Sequence, residues 1–378
     1  MRYQLRYVRM SCRITIADAA GLPCTSPGRD DGRVSPAASA RLGGLWASDL
    51  VGTSDDLASL ADGGRWAVAV PYAGSPVLAR FDRWEPTPPA GPPARWHGPA
   101  VSAWTSSMDE AAYCRGVESI RSAVVEGSVY QANLCRIMSA PLPEGPQDVA
   151  GLHALLEQGN PAPFGSYLHL PDLGVHIASA SPELFLSVGR RSDGRWVRSG
   201  PIKGTGATAA DLTEKDSAEN VMIVDLVRND LARVTDPGTV GVPALLRVDQ
   251  HPGLVHLVSL VEGRLRAEVT WPEIFAATFP PGSVTGAPKS SALRIIDELE
   301  PAPRDFYCGA FGWIDADSGE AELAVAIRTF WIRDHVLHFG TGAGITWASD
   351  AASEWRETEL KARRLVGVAS GVWQGDHS

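Results

Sequence analysis

Residues 279–301 read FPPGSVTGAPKSSALRIIDELEP, and their punctuation splits them into a glycine-rich loop and a helix. Pro288, with its fixed φ and missing N–H, suits the first turn of a helix running to Leu299, and Glu300-Pro301 terminates it. Working outward, a helix is expected over 270–277 and a strand near 256–262. Downstream, 321–332 and 336–339 form an expected hairpin around Arg333-Asp334-His335, and a last helix spans 353–366. Towards the N-terminus come a helix over 217–232 and strands over 166–170, 174–180 and 129–138. A further helix over 107–126 starts at Ser-Met-Asp-Glu, carries Tyr113, Val117, Ile120 and Val124 near helical spacing, and ends at Gly127. Strands and helices interspersed over the last 280 residues, without an internal repeat, predict an α+β, mixed α/β architecture.

Residues 85–99 (EPTPPAGPPARWHGP) contain six prolines, which disfavour helix and favour an extended connector. They predict a boundary near residue 100. The region before it, 1–100, mixes short strands such as 65–70 (RWAVAV) with loop-like runs such as 21–39. The region after it, 101–373, holds the long elements.

The 378 residues, 44% apolar and 21% charged, are long enough for a sizeable core and exclude disorder as the main state. A net charge of −10 offers no general attraction to nucleic acid or to an anionic membrane. The five cysteines are scattered, with no C-x-x-C pair and no His at metal-site spacing, which fits a reducing cytoplasm. Neither a signal peptide nor a membrane anchor is expected. Only four of the 34 basic residues are lysines: Lys203, Lys215, Lys289 and Lys361. Unlike Arg, a Lys amine can deprotonate and act as nucleophile or base.

Asp216 and Glu219 lie three apart on one expected helix, and Glu354 and Glu357 three apart on another. Each pair either complements its helix dipole or, joined with the other, supplies oxygen donors for a hard cation such as Mg²⁺. Lys203, in SGPIKGT between Pro201 and Gly204, is either a solvent-exposed turn lysine or a presented nucleophile. Glu183, following Pro182 in SASPELFL, is a surface carboxylate or a general acid held against an apolar wall. PPGSVTGAPK and the Gly342-Ala343-Gly344 turn offer backbone N–H donors to an anion, and Arg328 could fork onto a carboxylate or form a surface salt bridge.

Read together, EGSVYQANL, SASPELFL, GPIKGT, KDSAENVMIVDLVRNDLARV, VHLVS, FPPGSVTGAPKSSALRIIDELEP, YCGAFGWI, AIRT, GAGI and SEWRETELKA resemble the chorismate-utilising enzymes from about Asp109 to Val366. The likeness is greatest to the large, aminating subunits of aminodeoxychorismate synthases. It implies a chorismate-utilising fold in which two large sheets enclose helices, and makes 101–373 the catalytic domain. It further implies Mg²⁺ held by Glu219 and Glu357 with Asp216 and Glu354 beside them, and His256 near the leaving hydroxyl. Arg328, Tyr307, the GAGI backbone, Lys361 and Thr285 of the glycine-rich loop are the implied substrate contacts, while Lys289 is as readily structural.

Two positions discriminate within the family. Enzymes resembling anthranilate synthases usually carry Ala at the position of Lys203, and isochorismate and salicylate synthases use a water-activating lysine at the position of Gln131. Both features favour amination at C4, with Lys203 as nucleophile and Glu183 as acid. The N-terminal region lacks a recognisable tryptophan-pocket motif. No Cys sits in a nucleophile-elbow context, so ammonia is expected from a separate glutamine amidotransferase subunit or from free ammonium. The alternatives are an anthranilate synthase component and a non-catalytic chorismate-binding subunit.

Overall fold

The computed structural model describes residues 37–88, 94–145, 147–206, 208–251 and 254–372. The expected loop over 21–39 lies outside them up to residue 36, as do Cys12, Cys24 and residues 89–93 of the proline-rich segment. Strands β1 (Ser39–Leu42) and β2 (Leu45–Ser54) are joined by Gly43 and Gly44, both at positive φ, and are followed by β3 (Arg65–Val70) and β4 (Val77–Glu85). After β5 (Thr105–Ser106), α1 (Glu110–Val125) is capped by Asp109, whose carboxylate accepts from Ala112 N at 2.7 Å. Next come β6 (Gln131–Pro141), α2 (Val149–Gly159), β7 (Phe164–Leu170) and β8 (Val175–Ser181). The middle of the chain supplies β9 (Leu184–Arg191), β10 (Gly194–Gly200), β11 (Ile202–Gly206), α3 (Glu214–Ala232), β12 (Gly241–His251) and β13 (Leu254–Arg264). The remainder is α4 (Trp271–Thr278), β14 (Gly286–Ala287), α5 (Lys289–Leu299), β15 (Ala310–Asp315), β16 (Glu320–Val325), β17 (Thr329–Arg333), β18 (Val336–Ile345) and α6 (Ala351–Ala369). No helix among the described residues is long and apolar enough to cross a membrane.

Among the described residues every strand pairing is antiparallel, and the pairings join into one ribbon. One half runs β6, β18, β17, β8, β7, β1, with β5 and β14 on β6. The other runs β2, β4, β3, β15, β16, β9, β10, β13, with β11 and β12 on β13. The β1–β2 hairpin joins the halves. Alternation along a strand sends neighbours to opposite faces. In β8, Val175 and Ile177 enter a core shared by both halves, while Ala178 and Ala180 pack with α2 and α6. Residues of α3 and α4, including Ile223, Leu231, Ile274 and Phe275, belong to the shared core, whereas α1 and α5 pack on Ala132 and Leu134 of β6.

The mixed α+β architecture matches the expectation from sequence, and each expected helix is present within a few residues. Three differences have physical causes. Helix α2 was not expected, although Asp148 caps it and Val149, Leu152 and Leu156 fall on its buried side. The expected long strand over 321–332 is broken: Arg328 takes a left-handed φ of 51°, so β16 stays on β15 and β9 while β17 turns away to β8 and β18. The boundary expected near residue 100 is bridged by strand pairing, because β3 pairs with β15 and β1 with β7.

Candidate active site

Glu183 precedes β9, and Lys203 lies in β11, two residues after Pro201. The turn expected around Lys203 is instead an irregularity in a strand: β11 pairs with β13 at Ile202 and Thr205, and the register shifts between them. Gly204, at φ +80°, sits where a Cβ would come within 2.8 Å of Asp216, which fixes the bend beside α3. Lys203 Nζ donates to the carbonyl of Ser283 at 3.0 Å. Glu183 is 4% exposed, and its carboxyl is pushed up to about 7. Burial is the main cause, and it wins against the Ser283 hydroxyl, the Lys203 ammonium, the Ile202 N–H and Arg328, all of which favour the anion. Ser283 thereby ties the amine and the acid together. His256 is buried on β13, opposite Thr205 of β11.

The two acidic pairs do meet, around an ammonium. Lys215 Nζ lies 3.1 Å from Glu354 Oε1 and 3.7 Å from Glu219 Oε1, joining α3 to α6. Burial would lower the Lys215 ammonium, but Glu354, Glu219 and Glu357 outweigh it and hold it above its ordinary value. Burial raises Glu219, with Glu354 and Asp216 adding to the rise against Lys203 and Lys215. Burial also pushes Glu357 upward, but Lys361, Lys215 and Lys203 together hold it below the usual range. Asp216 uses its carboxylate to close the cap of α3, accepting from Thr213 N at 2.8 Å and Thr213 Oγ1 at 2.7 Å.

As a test of a hard divalent cation, the donor chemistry of Glu219, Glu354 and Glu357 fits: all are carboxylates, and a positive charge already sits among them. Among the described residues no three acidic, His or Cys side chains form a ready coordination set, in keeping with an arrangement closed around Lys215.

Lys361 Nζ bridges Glu357 Oε1 at 2.7 Å and the carbonyl of Gly342 at 3.1 Å. Gly342-Ala343-Gly344 do not form the expected turn: these residues lie within β18, paired with Cys135, Leu134 and Asn133 of β6. Since Gly342 turns its carbonyl to Lys361, Gly342 and Gly344 face the open edge of β18 and Ala343 faces the ladder. Backbone donors are available, but from a strand edge. Thr285 is fully buried, and its hydroxyl donates to Pro281 O at 3.0 Å. Lys289 forms a part-buried pair with Asp230 Oδ2 at 2.7 Å and donates to Thr278 O at 3.1 Å. Burial and nearby Arg364 lower Arg328 against the pull of Glu183.

Tyr307 is buried, with its hydroxyl held well above the ordinary range, chiefly by burial. Its ring lies on Gly340, where a Cβ would come within 2.1 Å of Tyr307 Cγ. Gly340→Ala is therefore expected to displace the ring and to lower stability by about 1–3 kcal/mol in urea unfolding.

The profile of the chorismate binding enzyme family matches residues 75–367, well over half of the chain. The chain belongs to that family. It is 40% identical over 282 residues to anthranilate synthase component 1 of Streptomyces coelicolor, covering 71% of this chain and 53% of the relative. It is 41% identical over 264 residues to aminodeoxychorismate synthase of Streptomyces pristinaespiralis, covering 67% and 36%. For aminodeoxychorismate synthase component 1 of Klebsiella aerogenes, the figures are 37% over 278 residues, covering 70% and 59%. The matches thus span between 36% and 59% of the length of these relatives.

Two solved structures share the fold at low identity. Anthranilate synthase component I from Streptococcus pneumoniae superposes with a TM-score of 0.69 at 23% identity, covering 92% of this chain and 95% of that one. The menaquinone-specific isochorismate synthase from Escherichia coli gives 0.71 at 19%, covering 88% of each.

Three features of the site in this member of the family lie outside what its motifs carry. Ser283 lies inside a quoted motif, but its link to both Lys203 and Glu183 exists only in the fold. Lys215 stands out in the sequence by the rarity of lysine, whereas its place between α3 and α6 exists only in the fold. Gln131 enters the sequence reading only through the family resemblance, and Asn133 carries no signal of its own. Gln131 is fully buried, and among the described residues neither of its side-chain polar atoms nor Asn133 Oδ1 has a partner. Gly344 makes room for them, since a Cβ there would meet Gln131 Nε2 at 2.1 Å. Buried carboxamides are ordinarily hydrogen-bonded, so these atoms set the spot apart from the surrounding core.

Proposed function

We propose that the protein is the chorismate-aminating component of an aminodeoxychorismate synthase, converting chorismate and ammonia to 4-amino-4-deoxychorismate and water. The observation that carries this reading is Lys203, held by the Ser283 carbonyl beside the raised carboxyl of Glu183. An amine next to a protonated acid provides a nucleophile and a proton donor in one site.

In the proposed sequence the Lys203 amine adds at C2 of chorismate, the ring double bonds shift, and the 4-hydroxyl leaves as water with the proton of Glu183. Ammonia then bonds to C4 and expels the amine of Lys203, and the proton shed by the incoming nitrogen restores Glu183. Arg328, Tyr307 and the outward N–H groups of Gly342 and Gly344 receive carboxylates, with Lys361 holding the Gly342 edge in place. His256 stands near the departing hydroxyl, and Thr285 keeps the 282–284 turn closed. Glu219, Glu354 and Glu357, with Asp216 beside them, are the residues that would hold Mg²⁺. When bound, it would supply positive charge that orients the ring carboxylate and stabilises developing anion. Ammonia would come from a glutamine amidotransferase partner.

The test is to incubate the protein with chorismate, Mg²⁺ and ammonium and to identify the product by mass spectrometry. 4-Amino-4-deoxychorismate supports the reading. Anthranilate would favour the second reading, to which the relative from Streptomyces coelicolor lends weight, and isochorismate would overturn the role given to Gln131.

A pH dependence follows from Glu183. The protonated carboxyl is the donor, so a value of about 7 leaves it active below pH 7 and progressively lost above. The fraction of Glu183 able to donate is expected to fall about tenfold per pH unit well above 7, which places a Glu183-dependent falling limb in the profile of turnover per unit of free ammonia. Glu183→Gln should abolish that limb and lower turnover by ~10²–10⁴-fold; a limb that survives in the variant belongs to another group.

A further inference from the structure

The proposed reaction leaves unused a group of arginines at the far end of the β9–β10 hairpin. Arg190 and Arg195 are directly opposed across it, two rungs beyond Val188 and Val197, which are buried in the shared core. Opposed side chains project to the same face, and like charges placed so repel each other. In a chain with 44 acidic residues, no carboxylate is set against this pair among the described residues. Arg190 Nε donates to Ser318 O at 2.6 Å and Arg195 Nη2 to Val269 O at 3.0 Å, and the remaining N–H groups of both forks are unfilled. The neighbouring arginines are paired: Arg191 with Glu262 at 2.5 Å, and Arg264 with Asp236 at 2.9 Å.

Arg190, Arg195 and Arg264 line one cleft of about 360 Å³, together with Asp193, Asp236 and Leu265. That volume falls in the range of small-molecule sites. Arg195 is half-buried, and burial together with the charge of Arg190 holds its guanidinium below the ordinary range. Two fork-shaped donors on opposed positions of one face, one of them half-buried and neither paired with a carboxylate, match the oxygens of a doubly charged anion.

We propose that this cleft binds a small oxyanion with two or more negative charges, a phosphate-bearing molecule or a polycarboxylate, received between Arg190 and Arg195. The cleft is separate from the chorismate site, because the strand from Leu184 to Arg190 spans ~20 Å. It is nonetheless connected to that site. β9 starts one residue after Glu183, and β10 ends three residues before Lys203, so the hairpin carrying the arginines at one end positions the acid and the amine at the other.

The test is thermal unfolding of the full chain, without Mg²⁺, in pyrophosphate or citrate against sodium chloride of matched ionic strength. The expected result is a saturable rise in melting temperature of about 3–4 °C at a hundredfold excess over Kd, which sodium chloride does not reproduce. Titration calorimetry should show at least a tenfold loss of affinity in R190Q/R195Q. R190Q alone, at an exposed position, should show a smaller loss while melting normally in sodium chloride. A larger effect of pyrophosphate points to a phosphate-bearing ligand and a larger effect of citrate to a polycarboxylate; either supports the site. Equal affinity in wild type and variants, or a rise that follows ionic strength alone, overturns it.

Discussion

Lys203→Arg is expected to lower turnover with free ammonia by at least ~10³-fold while leaving the melting temperature nearly unchanged. Arginine keeps the positive charge that Glu183, Glu219 and Glu357 all feel from this position. It also keeps a donor for the Ser283 carbonyl. What it removes is the lone pair, since a guanidinium stays protonated throughout the accessible pH range. The substitution therefore separates charge from nucleophilicity, which Lys203→Ala would not, because losing the charge also shifts the neighbouring carboxyls. Steady-state rates and product identity check it: wild-type turnover in the arginine variant would exclude a covalent role for Lys203.

Glu300→Ala is expected to destabilise the fold by about 3–5 kcal/mol, the largest stability effect of a single substitution foreseen here. Glu300 and Arg304 form a two-pronged pair, Arg304 Nε to Oε2 at 2.8 Å and Nη2 to Oε1 at 2.7 Å, with both side chains almost wholly buried. The same Glu300 carboxylate accepts from the backbone N–H of Cys135 in β6 at 2.8 Å. Arg304 continues to the carbonyls of Val284 at 2.8 Å and Asn133 at 3.3 Å, and its guanidinium covers the ring of Tyr72 at 4.5 Å. Removing the carboxylate leaves a buried cation uncompensated and a buried N–H without a partner. The network also holds the 282–284 turn that carries Ser283, so catalysis should suffer along with stability. Urea unfolding measures the first effect, and a loss below about 1 kcal/mol would mean that water reaches the pair.

The candidate site was legible where chemistry follows from residue type and order. The rarity of lysine singled out Lys203, Lys215, Lys289 and Lys361, and the carboxylate spacing placed Glu219 with Asp216 and Glu357 with Glu354 on their helices. Helix limits were equally readable, because Asp109, Pro288 and Gly127 act on backbone groups within one turn of themselves.

Glu300 illustrates what was not readable. In the sequence it ends a helix before Pro301; in the fold it reaches across 165 positions to Cys135. TGAGI has the composition of a turn, yet pairing with β6 makes it a strand whose alternate residues face outward. Arg328 has no local signal for a left-handed backbone, and the break there decides which strands β16 and β17 join.

By itself, then, the sequence determined the family resemblance, the mixed architecture, most helices and the chemical types in the site. Tertiary structure alone decided that Lys203 and Glu183 meet at Ser283, that Lys215 stands among the carboxylates, that β3 and β15 pair across the proline-rich segment, and that Arg190 opposes Arg195. The physical reason is range. Caps, proline breaks and 3.6- or 2-residue periods act over a few residues and are written locally. Burial, strand register and the pairing of charges depend on which distant segments share a core, and that is set only when the whole chain packs.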